Sequence, residues 1–174
     1  LRVKKYFFIA ASLLLSLVFF GFWFFLRTPL FLSLPPESPR IFDTRDTLLF
    51  WGLSEDDEYF WKISFSEISP HFVVAATLAE DSRFWEHGGF DALSMMRALG
   101  QNLLSGSVVS GASTLTQQVA KNILDNPPRT IPQKIRELFV ALHLEAQLTK
   151  EDIFANWANR ASFSGNIRGI EAAS

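Results

Sequence analysis

The chain has 174 residues, of which 48% are hydrophobic, and its formal net charge is −2. This length suffices for one globular domain with a core, and the small negative charge gives no reason to expect nucleic acid as a partner. The chain has no cysteine, which excludes disulfides and thiolate metal sites but does not identify the compartment.

The apolar residues are concentrated near the N-terminus. Residues 7–26, FFIAASLLLSLVFFGFWFFL, carry no charge over about the length that a helix needs to cross a bilayer. Three basic residues precede them, so the positive-inside rule predicts a cytoplasmic tail over 1–6, a transmembrane anchor over 7–26 and the remainder outside. A cleaved signal peptide is the alternative, but the stretch is longer than a usual signal core and lacks a small-x-small cleavage site.

A linker and a small β element follow the apolar stretch. Residues 27–39 contain LSLPPESP, which predicts a short stiff spacer without helical period. Residues 40–51 predict two short strands around a turn at 43–46, and the β-type residues of 59–65 extend this hairpin element.

From Ser69 onward the pattern is helical. Capping residues and prolines mark five helix starts, at Ser69–Pro70, Asp91, Thr114, near Pro132 and at Thr149. The second helix should end near Gly106, the small residues of 105–113 predict a mobile loop, and 169–174 predict the start of another helix.

Two of these helices have apolar faces that we expect to be buried. In the second helix the predicted core residues are Leu93, Met96, Leu99, Leu103 and Leu104. In the helix near Pro132 they are Ile135, Leu138, Phe139, Leu142 and Ala146. Glu137 lies on a different face together with Lys134 and Ala141, so it is more than core filling.

Three polar clusters are candidates for the chemistry. Residues 80–91 hold four carboxylates, an Arg, a His and a Gly pair directly after an apolar helix, where burial and neighbours shift pKa values. Residues 111–122 place hydroxyls and amides at a helix N-terminus, a seat suited to phosphate or pyrophosphate. Residues 129–137 gather three cations ahead of one carboxylate. Alone, each has an ordinary alternative: a solvated acidic helix end, a set of capping residues and a solvated basic helix start.

Together the clusters resemble the peptidoglycan glycosyltransferases of family 51, the glycosyltransferase module of class A penicillin-binding proteins and of their monofunctional relatives. The motif Glu-Asp-x-x-Phe-x-x-His-x-Gly-x-Asp is matched by Glu80, Asp81, Phe84, His87, Gly89 and Asp91. The motif Gly-x-Ser-Thr-x-Thr-Gln-Gln-x-x-Lys-Asn is matched by Gly111, Ser113, Thr114, Thr116, Gln117, Gln118, Lys121 and Asn122.

Two further motifs are matched incompletely. In Arg-Lys-x-x-Glu, Lys134 and Glu137 are present, but Gln133 replaces the Arg. In Ile-Leu-Glu-x-Tyr-Leu-Asn, at residues 153–159, Ala155 replaces the Glu and Trp157 replaces the Tyr. The end of the chain is most similar to the 1C-type branch, and the resemblance covers roughly 40–174, a glycosyltransferase domain expected to be incomplete at its C-terminus.

The resemblance implies a mainly α, lysozyme-like fold with a small β-hairpin element. It also implies polymerisation of lipid II into β-1,4 glycan strands, with inversion and release of undecaprenyl pyrophosphate, on the outer side of the bacterial cytoplasmic membrane. Its implied partners are lipid II, the growing glycan strand, the membrane and other cell-wall synthesis proteins. The excess of aromatic residues, 18 Phe and five Trp, would let the domain lie partly in the outer leaflet.

The resemblance also implies roles for single residues. Glu80 would be the general base and Glu137 the second important carboxylate, on the leaving-group side. The expected substrate-binding residues are Ser113, Gln117, Gln118, Lys121, Arg129 and Lys134, the three cations holding pyrophosphate. The residues expected to shape the turn are Asp81, Phe84, His87, Gly89 and Asp91, with His87 holding the glycine turn. No cofactor is required, although Mg or Mn could accompany pyrophosphate with Asp81 as the nearest ligand.

Two other functions stay open on the sequence. A hydrolytic or lytic enzyme acting on the same glycan would also use carboxylates, but it needs neither pyrophosphate-binding cations nor an anchor. A non-catalytic membrane scaffold is favoured by Gln133, by Ala155 and by the incomplete C-terminal part. The retained Glu80 and Glu137 argue against the scaffold.

Overall fold

The computed structural model describes residues 2–30, 32–107, 113–126 and 128–174, and within them the chain is mainly helical, as predicted. The motif residue Gly111 and most of the predicted loop 105–113 lie outside the described residues. The helices are α1 Arg2–Arg27, α2 Pro70–Glu80, α3 Ala92–Ser105, α4 Leu115–Ile123, α5 Ile131–Gln147 and α6 Lys150–Arg160. The strands are β1 Arg40–Phe42, β2 Leu48–Trp51, β3 Tyr59–Phe60 and β4 Ile167–Arg168.

The predicted helix starts are confirmed, and all but that of α2 have a side-chain cap; Ser69 stands at the N-cap position of α2, but its side chain makes no capping hydrogen bond. Pro70 is the first residue of α2, and the Asp91 carboxylate accepts hydrogen bonds from the second and third N–H groups of α3. The hydroxyls of Thr114, Thr130 and Thr149 each accept an N–H at the starts of α4, α5 and α6. Because the first N–H groups of a helix have no partner within the helix, these oxygens determine where each helix begins.

The predicted hairpin is present. β1 pairs antiparallel with β2, with Ile41 opposite Phe50. Asp43 Oδ1 accepts hydrogen bonds from the main-chain N–H groups of Arg45 and Thr47, both at 2.8 Å, which closes the intervening turn. An Asp side chain that bonds the backbone two residues ahead is a common means of making such a turn.

The third predicted strand and the last predicted helix differ from the structure. β3 contains only Tyr59 and Phe60, and it pairs in parallel with β4 rather than with the hairpin. Residues Phe65–Glu67 form a 3-10 turn instead of continuing the strand. After β4 the chain forms turns, and the N–H of Ile170 donates to the carbonyl of Ala158 in α6. This end is therefore held by tertiary hydrogen bonds, which local sequence does not reveal.

The core lies where α4 packs against both α5 and α6. Its fully buried apolar side chains include Phe84, Leu115, Val119, Leu144, Ile153 and Phe154. Phe84 follows α2 and meets Phe154 of α6 edge to face, with ring centroids 6.1 Å apart. The core thus fixes the turn after Glu80 against the helices that carry the other two clusters.

The buried face predicted for α3 is wrong. Leu93, Met96, Leu103 and Leu104 are between 63% and 92% exposed. Among the described side chains of this helix Ala98 is the buried one, and those of Leu99 and Asn102 lie outside the described set. The described helices leave the apolar face of α3 uncovered, because the core is already filled from α4, α5 and α6.

The buried face predicted for α5 is wrong for three of its five residues, while Leu138 and Leu142 are half-buried. Ile135, Phe139 and Ala146 are exposed, whereas the buried residues are Gln133, Glu137, Ala141, His143 and Leu144. α4 packs against α5, and the Phe139 ring instead meets Phe22 of α1 with centroids 6.1 Å apart. The face with Glu137 therefore points toward the body of the domain, and the more apolar face meets α1.

α1 is fixed to the domain at its C-terminal end. Gln147 Nε2 donates to the carbonyl of Leu26, and His143 Nε2 donates to that of Thr28 at 2.7 Å. Arg160 Nη2 donates to the carbonyl of Ser33 at 2.7 Å. Among the residues that the structure describes, no helix combines the length and the apolarity needed to pass through a bilayer.

Candidate functional site

One cleft of about 750 Å³ lies between the end of α2 and the beginnings of α4 and α5. Every residue predicted to be catalytic or substrate-binding lines it: Glu80, Ser113, Gln117, Gln118, Lys121, Arg129, Lys134 and Glu137. Ala79, Asn122, Thr130 and Ile131 complete its walls. The structure thus places the two carboxylates on one cleft, which their positions on separate helices did not require.

Glu80 is the last residue of α2, and its side chain is open to the cleft. Its Oε2 accepts a hydrogen bond of 3.0 Å from Gln118 Nε2 on α4. Gln118 Oε1 in turn accepts one of 2.9 Å from Trp157 Nε1 on α6. Sequence reasoning noted Trp157 only as a departure from a motif, and nothing in its spacing indicated contact with the cleft.

Glu137 is buried, with 5% of its surface exposed, and it is paired. Its Oε2 lies 2.8 Å from Lys134 Nζ, one turn earlier on α5. Lys134 Nζ also donates to Ser113 Oγ at 2.9 Å, just before α4 begins. A buried carboxylate is stable as an ion only when paired, so Lys134 holds Glu137 while joining the two walls of the cleft.

Lys121 and Arg129 are the other two cations of the cleft. Within the described ranges neither side chain has an ion-pair or hydrogen-bond partner. Arg129 is exposed and Lys121 half-buried. Two cations without a described partner that face one cavity favour an anionic ligand, and a guanidinium beside an ammonium suits phosphate oxygens.

The N-terminus of α4 is less open to phosphate than the sequence suggested. Asp81 Oδ2 accepts the N–H of Leu115 at 3.0 Å, and Thr114 Oγ1 accepts the N–H of Gln117 at 3.1 Å. The Gln117 Oε1 accepts the N–H of Thr114 at 3.3 Å in return. The capping alternative is therefore correct for Gln117, and the side-chain cations remain the groups available to an anion.

Asp81 and His87 form a buried pair beside the cleft. His87 Nε2 lies 3.0 Å from both carboxylate oxygens of Asp81. Because Asp81 also accepts the Leu115 N–H, its oxygens are occupied by the protein. The described residues contain no group of three or more metal-ligating side chains. The donor set therefore does not fit Asp81 as a metal ligand.

The glycine turn is held by Thr114 rather than by His87. Thr114 Oγ1 donates to the carbonyl of Gly89 at 2.8 Å. Gly89 has φ of +90°, and a Cβ there would lie 3.1 Å from the carbonyl oxygen of Ala141. Only glycine meets both demands without strain. The expectation that His87 holds this turn is thus replaced by a contact between His87 and Asp81.

Asp91 connects the acidic turn to α3. Its side chain is almost fully buried and accepts hydrogen bonds from Ser94 Oγ and from the N–H groups of Leu93 and Ser94. Arg83 Nη1 lies 3.2 Å from its Oδ1. Burial raises the pKa of Asp91, but the hydrogen bonds from Ser94 and Leu93 and the charge of Arg83 together lower it below its ordinary value.

Gln133, which stands where the family motif has Arg, is buried and does not line the cleft. It is 8% exposed, and its Nε2 has no hydrogen-bond partner among the described residues. The cleft keeps three cations in spite of this replacement.

The comparisons with known proteins agree with the geometry. The family model for Transglycosylase matches residues 50–174. The chain is 40% identical over 136 residues to penicillin-binding protein 1C of Escherichia coli (strain K12), covering 78% of this chain and 18% of that protein. It is 31% identical over 172 residues to the biosynthetic peptidoglycan transglycosylase of Nitrosospira multiformis, covering 98% of this chain and 74% of that protein.

The extent of the match differs between relatives. Against penicillin-binding protein 1A of E. coli (strain K12), identity is 40% over 111 residues, 64% of this chain and 13% of that protein. The chain thus spans less than a fifth of the two penicillin-binding proteins but about three quarters of the transglycosylase. The motifs, the shared cleft and the family match over most of the chain lead to one conclusion: the chain belongs to the transglycosylase family.

Proposed function

We propose that this chain is a peptidoglycan glycosyltransferase that joins lipid II units into β-1,4 glycan strands through a mainly helical, lysozyme-like domain. One observation carries the proposal: one cleft holds an accessible carboxylate, Glu80, together with Lys121 and Arg129, two cations that have no partner among the residues that the structure describes. A carboxylate can activate a hydroxyl, and cations can hold a leaving pyrophosphate. A simple glycosidase cleft has no need of the second group.

In the proposed reaction Glu80 takes the proton of the 4-hydroxyl of the incoming lipid II. The oxygen attacks the anomeric carbon of the terminal sugar from the face opposite the pyrophosphate, so the configuration inverts. The bond between the anomeric carbon and the phosphate oxygen breaks, and its electron pair leaves with undecaprenyl pyrophosphate. Lys121 and Arg129 would stabilise the negative charge that develops on the leaving oxygens.

Lys134 and Glu137 would orient the donor side of the cleft. Their ion pair holds Lys134 beside Ser113, so its ammonium keeps a fixed position at the wall. Glu137, buried by the same pairing, restrains that cation and can accept a hydrogen bond from the substrate. Since Asp81 is occupied by the protein, we assign pyrophosphate binding to the side-chain cations and route no step through a metal.

The reaction requires access to a lipid-linked substrate, and we propose that α1 is the membrane anchor. The uncharged stretch 7–26 supports this, as do the large apolar side chains exposed along α1, among them Leu13, Leu17 and Phe24. The uncovered apolar face of α3 would rest in the outer leaflet, with the cleft above it. The chain should then stay in the membrane fraction after an alkaline carbonate wash, and its release would contradict the anchor.

The catalytic part is tested by comparing Glu80→Gln with Glu86→Gln on purified lipid II. Glu86 is a suitable control because it is an exposed carboxylate of the same turn that pairs with Arg83. We expect Glu80→Gln to lose at least about 100-fold in glycan polymerisation and in pyrophosphate-lipid release, the typical contribution of a general base. Glu86→Gln should stay near the unmodified rate.

Two outcomes would contradict this function. Equal, non-zero polymerisation by the unmodified chain and by Glu80→Gln would remove the role given to Glu80. Cleavage of finished glycan strands together with inertness toward lipid II would establish the hydrolytic alternative instead.

A further inference from the structure

Trp157 of α6 lies outside the cleft lining but is joined to Glu80 through one intervening side chain. Trp157 Nε1 donates to Gln118 Oε1 at 2.9 Å, and Gln118 Nε2 donates to Glu80 Oε2 at 3.0 Å. The indole, the amide and the carboxylate therefore form a continuous chain of hydrogen bonds from α6 through α4 to the end of α2.

The indole determines which way the Gln118 amide points. A Gln side chain has an acceptor oxygen and a donor nitrogen of nearly equal size, so it can rotate by half a turn with little steric change. An indole N–H can only donate, so it accommodates only the orientation that turns Oε1 toward Trp157. The amide NH₂ must then face Glu80. In the opposite orientation the amide oxygen would face the carboxylate and repel it.

The indole itself is held in place by packing. Its ring contacts that of the fully buried Phe154, with centroids 5.5 Å apart. It also meets Phe72 of α2, the helix that ends in Glu80, with centroids 6.4 Å apart. A ring packed against a neighbour on its own helix and against α2 has little freedom to turn its N–H away from Gln118. The direction of the Gln118 donor at Glu80 is thus set by the packing of the indole, while the hydrogen bond to Glu80 itself lies at the surface.

We infer that Trp157 is a positioning residue for the proposed general base, acting through Gln118 to hold Glu80 as an oriented hydrogen-bond acceptor. One carboxylate oxygen is engaged by the amide, and the other stays available to the substrate hydroxyl. The amide donor also matches the ionised carboxylate, the form that can accept a proton. This inference rests on the proposed function of Glu80.

The kinetic test compares Trp157→Phe with Trp85→Phe. Both rings contact Phe154, but the described residues give the Trp85 indole no hydrogen-bond partner. Trp157→Phe keeps the ring and deletes the N–H. We expect kcat for lipid II polymerisation to fall about threefold to tenfold, as for one lost hydrogen bond, with KM changed less than about twofold. Trp85→Phe should leave kcat within about 1.5-fold.

A double-mutant cycle separates positioning from general packing. In the Gln118→Leu background the relay is already broken, so Trp157→Phe should cause no further fall in kcat. Equal losses of kcat in the Trp85 and Trp157 variants, a rise in KM alone, or additive effects with Gln118→Leu would each overturn the inference.

A second measurement does not depend on activity. In hydrogen-exchange experiments followed by NMR, the indole N–H of Trp157 should exchange with water more slowly than that of Trp85. Gln118→Leu should abolish this difference in exchange rate. Equal exchange rates of the two indole N–H groups in the unmodified chain would overturn the inferred role of Trp157, even if Glu80→Gln is inactive as proposed. Slow exchange in a chain whose Glu80→Gln variant is fully active would instead contradict the proposed function.

Discussion

Replacing Asp91 removes the contacts that fix the turn following Glu80. The Asp91 carboxylate accepts hydrogen bonds of 3.0 and 3.1 Å from the N–H groups of Leu93 and Ser94 and one of 2.7 Å from Ser94 Oγ. We expect Asp91→Ala to lower the free energy of unfolding by about 2–3 kcal/mol, of which about 1 is the helix cap and the rest the charged hydrogen bonds. For a chain of this size that corresponds to a fall in Tm of roughly 5–10 °C.

The charge of Asp91 makes part of this effect depend on pH. Its pKa is lowered in the folded protein relative to its value of about 3.9 in an unfolded chain. A lowered folded pKa stabilises the protein fully above the unfolded pKa, and this contribution is lost as pH falls through the folded pKa. The stability difference between the unmodified chain and Asp91→Asn should therefore be largest near neutral pH and should shrink below about pH 4.

The assay is thermal unfolding followed by circular dichroism from about pH 7 to about pH 3. Asp56→Asn is the matched control, because it removes an equal charge from an exposed turn. A difference between the unmodified chain and Asp91→Asn that stays constant over this range would refute the electrostatic argument. An Asp91→Ala variant within about 0.5 kcal/mol of the unmodified chain would refute the capping argument as well.

Two further substitutions test the cleft and the turn. Arg129→Ala should lower kcat/KM for lipid II by about tenfold or more without changing Tm, since within the described part of the chain its guanidinium has no partner and can bind phosphate oxygens; a variant with unchanged kcat/KM would contradict that role. Gly89→Ala should destabilise the fold by about 1–3 kcal/mol, because its φ is +90° and a Cβ would approach Ala141. Gly88→Ala, where a Cβ meets nothing within 4 Å, should be much milder, and equal Tm values for the two variants would count against the strain.

The sequence predicted the features that local chemistry determines. Helix starts at Asp91, Thr114 and Thr149 follow from side-chain oxygens placed next to backbone N–H groups, and each is present. The members of the cleft were also predictable, because long motifs fix residue types at fixed spacing. All eight residues named for catalysis and binding line one cavity. Their roles in the reaction stay predictions.

The errors concern how elements pair and which faces they bury. An apolar stripe shows that a helix has a preferred face, but it does not show whether another helix or some other apolar surface covers that face. α3 and the stripe of Ile135 and Phe139 on α5 were assigned to the core for this reason. The parallel pair of Tyr59 and Ile167 joins distant parts of the chain, and no local pattern reports such a pairing.

The link from Trp157 to Glu80 could not be predicted for a different reason. It depends on the direction of an indole N–H and on the distance to an amide of another helix. A sequence gives the residue types but not these directions. The only signal was Trp157 in place of the Tyr of the motif. This replacement alone was as compatible with loss of function as with a retained contact.

The fixed exit of α1 would make the anchor helix proposed above act on the domain itself. The donors that hold it, His143 and Gln147 on α5 and Arg160 on α6, belong to the same two helices that carry Glu137 and Trp157. A change in the tilt of α1 would therefore be passed through these hydrogen bonds to α5 and α6. A helix tilts in response to the thickness of the layer around it. With α1 anchored as proposed, the thickness of the surrounding lipid would thus be a mechanical input to the geometry around Glu80.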